Sequence, residues 1–148
     1  MPGKGWEMKK LITCLTVCVL SGATFATTWT VDDDGKADFD NIQAAVDAAS
    51  DGDEIIVMPG TYTSTEDEVI DMRGKEIWIH SSKGAEVTII DGEDTRRGIL
   101  CDNGETSNTI IDGFTITNGY ADYGGGMYNS DSSPTLRDCV FMNNYADI

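Results

Sequence analysis

Basic side chains are scarce in this sequence: ten Lys and Arg stand against 26 Asp and Glu, a net charge of −16 over 148 residues. A chain of that charge repels polyanions, so neither nucleic acid nor an anionic lipid surface is an expected partner. Histidine is rarer still, with His80 alone, and of the four cysteines Cys14 and Cys18 fall in the N-terminal segment. No C-x-x-C spacing remains beyond it, which argues against a zinc site. Cys101 and Cys139 are too few for a disulfide framework. Either they pair with each other, or they pack as small apolar thiols. After residue 26 leucine is limited to Leu100 and Leu136. No apolar run approaches the ~18–20 residues needed to span a bilayer as a helix.

The longest apolar run, residues 11–20, follows Lys9 and Lys10 and leads through small residues to Thr24-Phe25-Ala26. That order of basic, apolar and small residues predicts a secretory signal peptide over 1–26, cleaved after Ala26. Either Met1 or Met8 gives it a basic start. Removing it leaves seven basic and 25 acidic residues, a net charge of −18. The expectation is a secreted or cell-surface protein (outer membrane or extracellular) with no transmembrane span after cleavage.

Residues 27–53 read as a cap. Trp29-Thr30-Val31 is a short strand, followed by the acidic turn Asp32-Asp33-Asp34-Gly35. Residues 39–49 form an amphipathic helix with Asp38 or Asp40 as N-cap and Ile42, Ala45, Val46 and Ala49 on one face. Residues 54–148 are different in kind. They hold strands of three to five residues, punctuated by Gly, Asn, Asp and Ser, and Pro59-Gly60 predicts a type II turn.

These strands echo one another. Ile89-Ile90-Asp91-Gly92 returns 21 residues later as Ile110-Ile111-Asp112-Gly113. The stretch 109–122 returns as 135–147 with one residue fewer, and Asn118-Gly119-Tyr120-Ala121-Asp122 lies 25 residues before Asn143-Asn144-Tyr145-Ala146-Asp147. Short strands at a 20–25-residue period predict a solenoid. Leucine-rich repeats are excluded by the lack of leucine, and propeller blades by the short period. An antiparallel sandwich would not place near-identical segments one coil apart. The remaining architecture is all-β: a parallel β-helix whose first coil is covered by the helix over 39–49. The sequence stops at Ile148 in mid-repeat, so the expected solenoid is truncated at its C-terminus, with further coils of a longer chain as its natural neighbours.

Asp34-Gly35, Asp38-Phe39, the run 42–49, Gly52-Asp53, Ile55-Ile56-Val57 and Pro59-Gly60-Thr61-Tyr62 resemble the N-terminal cap of pectin-lyase-like right-handed parallel β-helix proteins. Gly124-Gly125-Gly126-Met127 and Phe141-Met142-Asn143-Asn144 resemble the GGA[I/L/V] and FxxN repeats of polymorphic outer-membrane proteins and related bacterial surface β-helices. Together these matches span most of residues 29–147. The resemblance implies a right-handed β-helix and one of two roles. The first is a non-catalytic, adhesin-like segment of an exported bacterial-type surface protein that binds a polysaccharide or cell-surface ligand. The second is the N-terminal part of a polysaccharide lyase or hydrolase acting on acidic glycans.

No residue here is assigned a catalytic role. The Asn-Thr-Asp, Gly-His-Gly and Arg-Ile-Lys segments of polygalacturonase-like enzymes are absent, as are the Gln-Asp-Thr-Leu and Asp-Phe-Ile-Phe-Gly segments of pectin-methylesterase-like ones. A pectate-lyase-like site needs Arg or Lys beside Ca²⁺-binding acids. Arg96 and Arg97, in the turn-like 94–98, and Arg137 are the candidates. Alternation in Ile77-Trp78-Ile79-His80 turns the isoleucines inward and Trp78 and His80 outward, where Trp78 forms a flat platform for a sugar ring. The binding candidates are therefore Trp78, His80, Arg96 and Arg97. No motif requires a cofactor. Ca²⁺ is the one that clustered oxygens would hold, at Asp32, Asp33 and Asp34, although the EF-hand spacing fails with Thr30 first and Asn41 twelfth. Asn118, Asn143 and Asn144 are expected to stack in turns, their amides satisfying backbone groups between coils.

Overall fold

A chain of short apolar segments with turns between them buries a core only by coiling back on itself, and here every segment does so. The computed structural model describes residues 26–148; of the expected signal peptide, all but Ala26 lies outside the described residues. Strand β1 (Thr28–Val31) precedes the helix α1 (Ile42–Ala48). One coil then carries β2 (Glu54–Val57), β3 (Gly60–Tyr62) and β4 (Glu68–Asp71), and the next β5 (Trp78–Ser81), β6 (Thr88–Asp91) and β7 (Arg97–Cys101). The third carries β8 (Ile110–Asp112), β9 (Thr115–Thr117), β10 (Tyr120–Ala121) and β11 (Met127–Asn129), and the fourth β12 (Thr135–Arg137), β13 (Val140–Met142) and β14 (Tyr145–Ala146).

Like strands of successive coils pair, always in parallel. The first sheet runs β1-β2-β5-β8-β12, the second β3-β6-β9-β13, the third β4-β7-β11, and β10-β14 form a short fourth. The molecule is a parallel β-solenoid, as its sequence predicts. Inward residues stack into columns: Ile55, Ile79 and Ile111 on the first sheet, Ile90 and Ile116 on the second, Ile70 and Ile99 on the third, all buried. Each such isoleucine contributes roughly 1.5–3 kcal/mol of transfer free energy. In the last coil the same inward positions are uncovered. Leu136 is 41% exposed above Ile111 at 1%, and Phe141 43% above Ile116 at 0%.

The first coil is covered differently. Helix α1 packs against β1, β2 and β4 through Ile42, Ala45 and Val46, which is the cap that the amphipathic stripe predicts. It is shorter than 39–49, and its N-cap is Asn41, whose Oδ1 accepts from Ala44 N at 2.8 Å. Neither Asp38 nor Asp40 caps it. Asp38 accepts instead from the Thr30 amide and hydroxyl, which lowers its carboxyl pKa. Phe39 is held outside the helix by a bridge to Val31. Two side chains finish the cap. The Gln43 amide accepts from Asp71 N (2.7 Å) and donates to Asp71 O (3.1 Å), imitating the strand that β4 lacks on that edge. Lys75 Nζ donates to the carbonyls of Val46, Asp47 and Ala49 at 2.6–2.8 Å, satisfying orphan acceptors at the negative end of the helix.

Three expectations about turns and periods are corrected. Gly60 does not adopt the positive φ of a type II turn; it opens β3. A Cβ there would lie 2.6 Å from Asp33 Oδ2, so a larger residue would displace that side chain. The 21-residue echo does not relate equivalent strands of neighbouring coils, since Ile89-Ile90-Asp91 belongs to β6 of the second sheet and Ile110-Ile111-Asp112 to β8 of the first. The motif marks two different corners of the solenoid. The 25-residue echo is the spacing of the last two coils, and it needs no gap: Ile110, Thr115 and Tyr120 lie beside Thr135, Val140 and Tyr145.

The glycine run and the following FxxN segment fit one another. Asn144 turns between coils, its Nδ2 donating to Ile116 O (2.9 Å) and its Oδ1 accepting from Gly119 N (2.8 Å). It occupies the space that side chains at 119 and 126 would fill, 2.8 Å from a Cβ at either position. Asn118 and Asn143 take left-handed turns, and Asn118 Nδ2 reaches down to Asp91 Oδ1 at 3.0 Å.

Candidate functional site

Alternation leaves two outward columns on the first sheet. One runs Thr28, Glu54, Trp78, Ile110, Thr135, and the other Thr30, Ile56, His80, Asp112, Arg137. Because the strands are parallel and in register, these side chains stack over one another on the outer face of the sheet. Trp78 is the large aromatic at its centre, 38% exposed, while its strand neighbours Ile77 and Ile79 are buried. The alternation read from Ile77-Trp78-Ile79-His80 is therefore the one the structure has.

The indole is held in place. His80, two residues on, stacks on it with ring centroids 4.2 Å apart and planes 24° from parallel. The imidazole is itself fixed at Nε2 by Glu54 Oε1 at 3.0 Å, and Glu54 Oε2 accepts from Thr28 Oγ1 at 3.0 Å. A carboxylate only accepts, so Nε2 carries the hydrogen of that bond. Beside the other side of Trp78 is a notch of about 270 Å³ lined by Gly52, Asp53, Glu76, Trp78 and Asn108. Glu76 accepts there from Thr106 Oγ1 (2.6 Å) and Asn108 Nδ2 (3.2 Å). Asp53 forms the floor of this region. Burial raises its pKa, but donations from Ser50 N, Thr27 N and Trp29 Nε1, with the charge of Lys75, outweigh that and leave it lowered.

No protein-family model matches the chain, and no curated protein does. The fold therefore stands on the strand pairing, and the site on its own geometry.

The other candidates are scattered. Arg97 is not in a turn; it opens β7, beside Glu68 of β4. Its guanidinium donates to the carbonyls of Tyr123 and Gly124 and lies 5.1 Å from the centre of the Tyr128 ring, a clasp onto the coil above. Arg96 remains in the turn, paired with Glu93. It lines a separate groove of about 830 Å³ between α1, the loop 63–67 and that turn. Glu68, on the same groove, has its pKa raised by desolvation and by Asp71. Trp78 and His80 thus belong together, and Arg96 and Arg97 belong neither with them nor with each other.

Asp32, Asp33 and Asp34 each have their own partner: Asp32 Oδ1 accepts from Asp34 N, Asp33 Oδ2 from Thr61 N, and Asp34 pairs with Lys36. Among the described residues no group of three or more His, Cys, Asp or Glu side chains is disposed to hold a metal ion. Cys101 and Cys139 are free thiols, Cys101 buried in the core. No helix among the described residues is long and apolar enough to cross a membrane.

Glu54 and Asn108 carry no signal of their own in the sequence, whereas Glu76 stands two residues before Trp78. Glu54 is revealed only by the coil register, which varies: Glu54 lies beside Trp78, 24 residues on, and Trp78 beside Ile110, 32 residues on.

Proposed function

We propose that this chain is a non-catalytic segment of an exported, adhesin-like surface protein that binds glycan through the outer face of its first sheet. The observation that carries the reading is Trp78: a partly exposed indole, stacked on His80, in the middle of the outer face of the first sheet. An indole presented this way costs little ordering on binding and offers a planar apolar surface to the C–H face of a sugar. The pectin-lyase-like, right-handed character and the export of the chain belong to the same proposal, supported by the cap residues 34–62 and by the order of residues 9–26. So does a further parallel coil over Leu136 and Phe141, whose inward but uncovered side chains such a coil would bury.

A glycan array probed with wild-type protein and with Trp78→Ala tests this. Trp78-dependent signal on carbohydrate is the expected result, and equal signal from both proteins would refute it. The lyase form of the enzymatic reading predicts unsaturated products, visible in ultraviolet absorbance, when acidic polysaccharide and Ca²⁺ are supplied. Arg137, the candidate basic residue on the first sheet, lies beside Asp112.

A further inference from the structure

We infer that the notch beside Trp78 is a subsite for an uncharged, hydroxyl-bearing sugar ring and that it excludes uronic acids, with Glu76 and Asn108 as the residues that set this choice. The inference rests on the glycan-binding reading of the Trp78 face and deepens it. His80 stacks on the indole, and Glu76, two residues before Trp78, lines the notch beside it. The notch there, about 270 Å³, is smaller than the ~300–1,000 Å³ of sites for drug-sized ligands. It has room for one ring.

Its polar lining is rich in carboxylate acceptors and holds no cation, with the N–H groups of Trp78 and Asn108 as its side-chain donors. Each Glu76 oxygen receives one hydrogen bond from the coil above, from Thr106 Oγ1 or Asn108 Nδ2. A carboxylate oxygen has two lone-pair sites, so each keeps one free for a ligand. Asn108 is exposed, and its Oδ1 is a further acceptor. Free acceptors select donors, and sugar hydroxyls are donors in the right number.

A uronate would bring a carboxylate instead. It would meet Glu76 and Asp53 in the notch and Glu54 on the same column as Trp78, with no Lys or Arg lining the notch. Within the ~8 Å screening length at physiological salt, that repulsion is only partly screened. The acidity of the whole chain acts in the same direction.

Isothermal titration at physiological salt tests the assignment, using cellohexaose, xylohexaose and mannohexaose as neutral probes and hexagalacturonate as the acidic one. At least one neutral hexamer is expected to bind saturably, with Trp78→Ala weakening it about tenfold or more. Hexagalacturonate is expected to bind at least tenfold more weakly. Glu76→Gln, which removes the charge but trades one acceptor oxygen for a donor, is expected to weaken neutral binding while strengthening hexagalacturonate relative to it, so that the gap narrows several-fold. Trp78→Gln is a second, polar variant should the alanine protein fold poorly by circular dichroism. Trp78-dependent hexagalacturonate binding as tight as the neutral hexamers, or a gap that Glu76→Gln leaves unchanged, overturns the subsite and leaves the Trp78 reading standing. Binding by none of the four overturns both.

Discussion

Removing the Glu105 carboxylate is expected to unfasten three coils at once. Glu105 is 2% exposed, in the turn after β7. Oε1 accepts from Gly74 N at 2.7 Å, in the coil below. Oε2 accepts from Asn103 N (3.0 Å) in its own coil and from Ser132 Oγ (2.7 Å) in the coil above. Burial alone raises the carboxyl pKa, but these bonds, Ser132 foremost, outweigh it and leave the pKa lowered. Hydrogen bonds to a charged group are worth ~1.5–3 kcal/mol each, and a buried donor left alone costs ~1–3 kcal/mol. The single Ser132 hydroxyl hydrogen has Ser130 O within reach as an alternative acceptor at 3.0 Å and so loses little, leaving two amides unpaired in Glu105→Ala. The expected loss is about 3–5 kcal/mol in urea denaturation at pH 7.

The pH dependence has a fixed sign. Because the folded pKa lies below the unfolded one, the carboxylate stabilises fully above the ordinary Glu value of 4.5, and the contribution fades as pH falls through the folded pKa. The difference between wild type and Glu105→Ala should therefore shrink in acid. Amide exchange at Gly74 and Asn103 should accelerate in the variant. A loss below about 0.5 kcal/mol at pH 7, or a difference that grows on acidification, would refute the reasoning.

Lys75→Met is expected to cost about 1–2 kcal/mol and to speed amide exchange in α1 before anywhere else, since three helix-end carbonyls lose their donor. Gly125→Ala should be far more damaging, because a Cβ there would sit 1.9 Å from Tyr145 O; a thermal melt unchanged within 2 °C of wild type, against the ~4–8 °C that each kcal/mol moves a small domain, would contradict the close coil contact. Burial, with Glu105, Asp71 and Asp102 adding, pushes the Cys101 thiol up to about 12. It should resist iodoacetamide at pH 8 until the protein is unfolded, as mass spectrometry of the alkylated chain would show.

The sequence speaks most clearly where physics is local or repeated. Helix α1 is legible because Ile42, Ala45 and Val46 are three and four residues apart, and the solenoid because 110–121 and 135–146 have the same spacing of strands and corners. Trp78 is legible because alternation over four residues decides which way it points. What the sequence hides is long in range. Gln43 reaches Asp71, Lys75 reaches Val46, and Glu105 reaches both Gly74 and Ser132, each across 27–31 residues. Coils that differ in length leave no constant offset by which to pair them. The Ile-Ile-Asp-Gly echo misleads for the same reason: one local solution, a strand ending in a tight corner, serves two sheets. Asp38 and Asp40 look like helix caps because they are good ones, but Asn41 stands one residue closer to Ile42.

The most direct test of the Trp78 face is an amide chemical-shift map of the isotopically labelled protein, titrated with whichever neutral hexamer binds tightest. The shifts are expected to concentrate on β2, β5 and β8 and on the turn 106–109, leaving the groove at 63–67 and 93–96 unmoved. Shifts confined to that groove, or spread evenly over the surface, would contradict the assignment of function to the outer face of the first sheet.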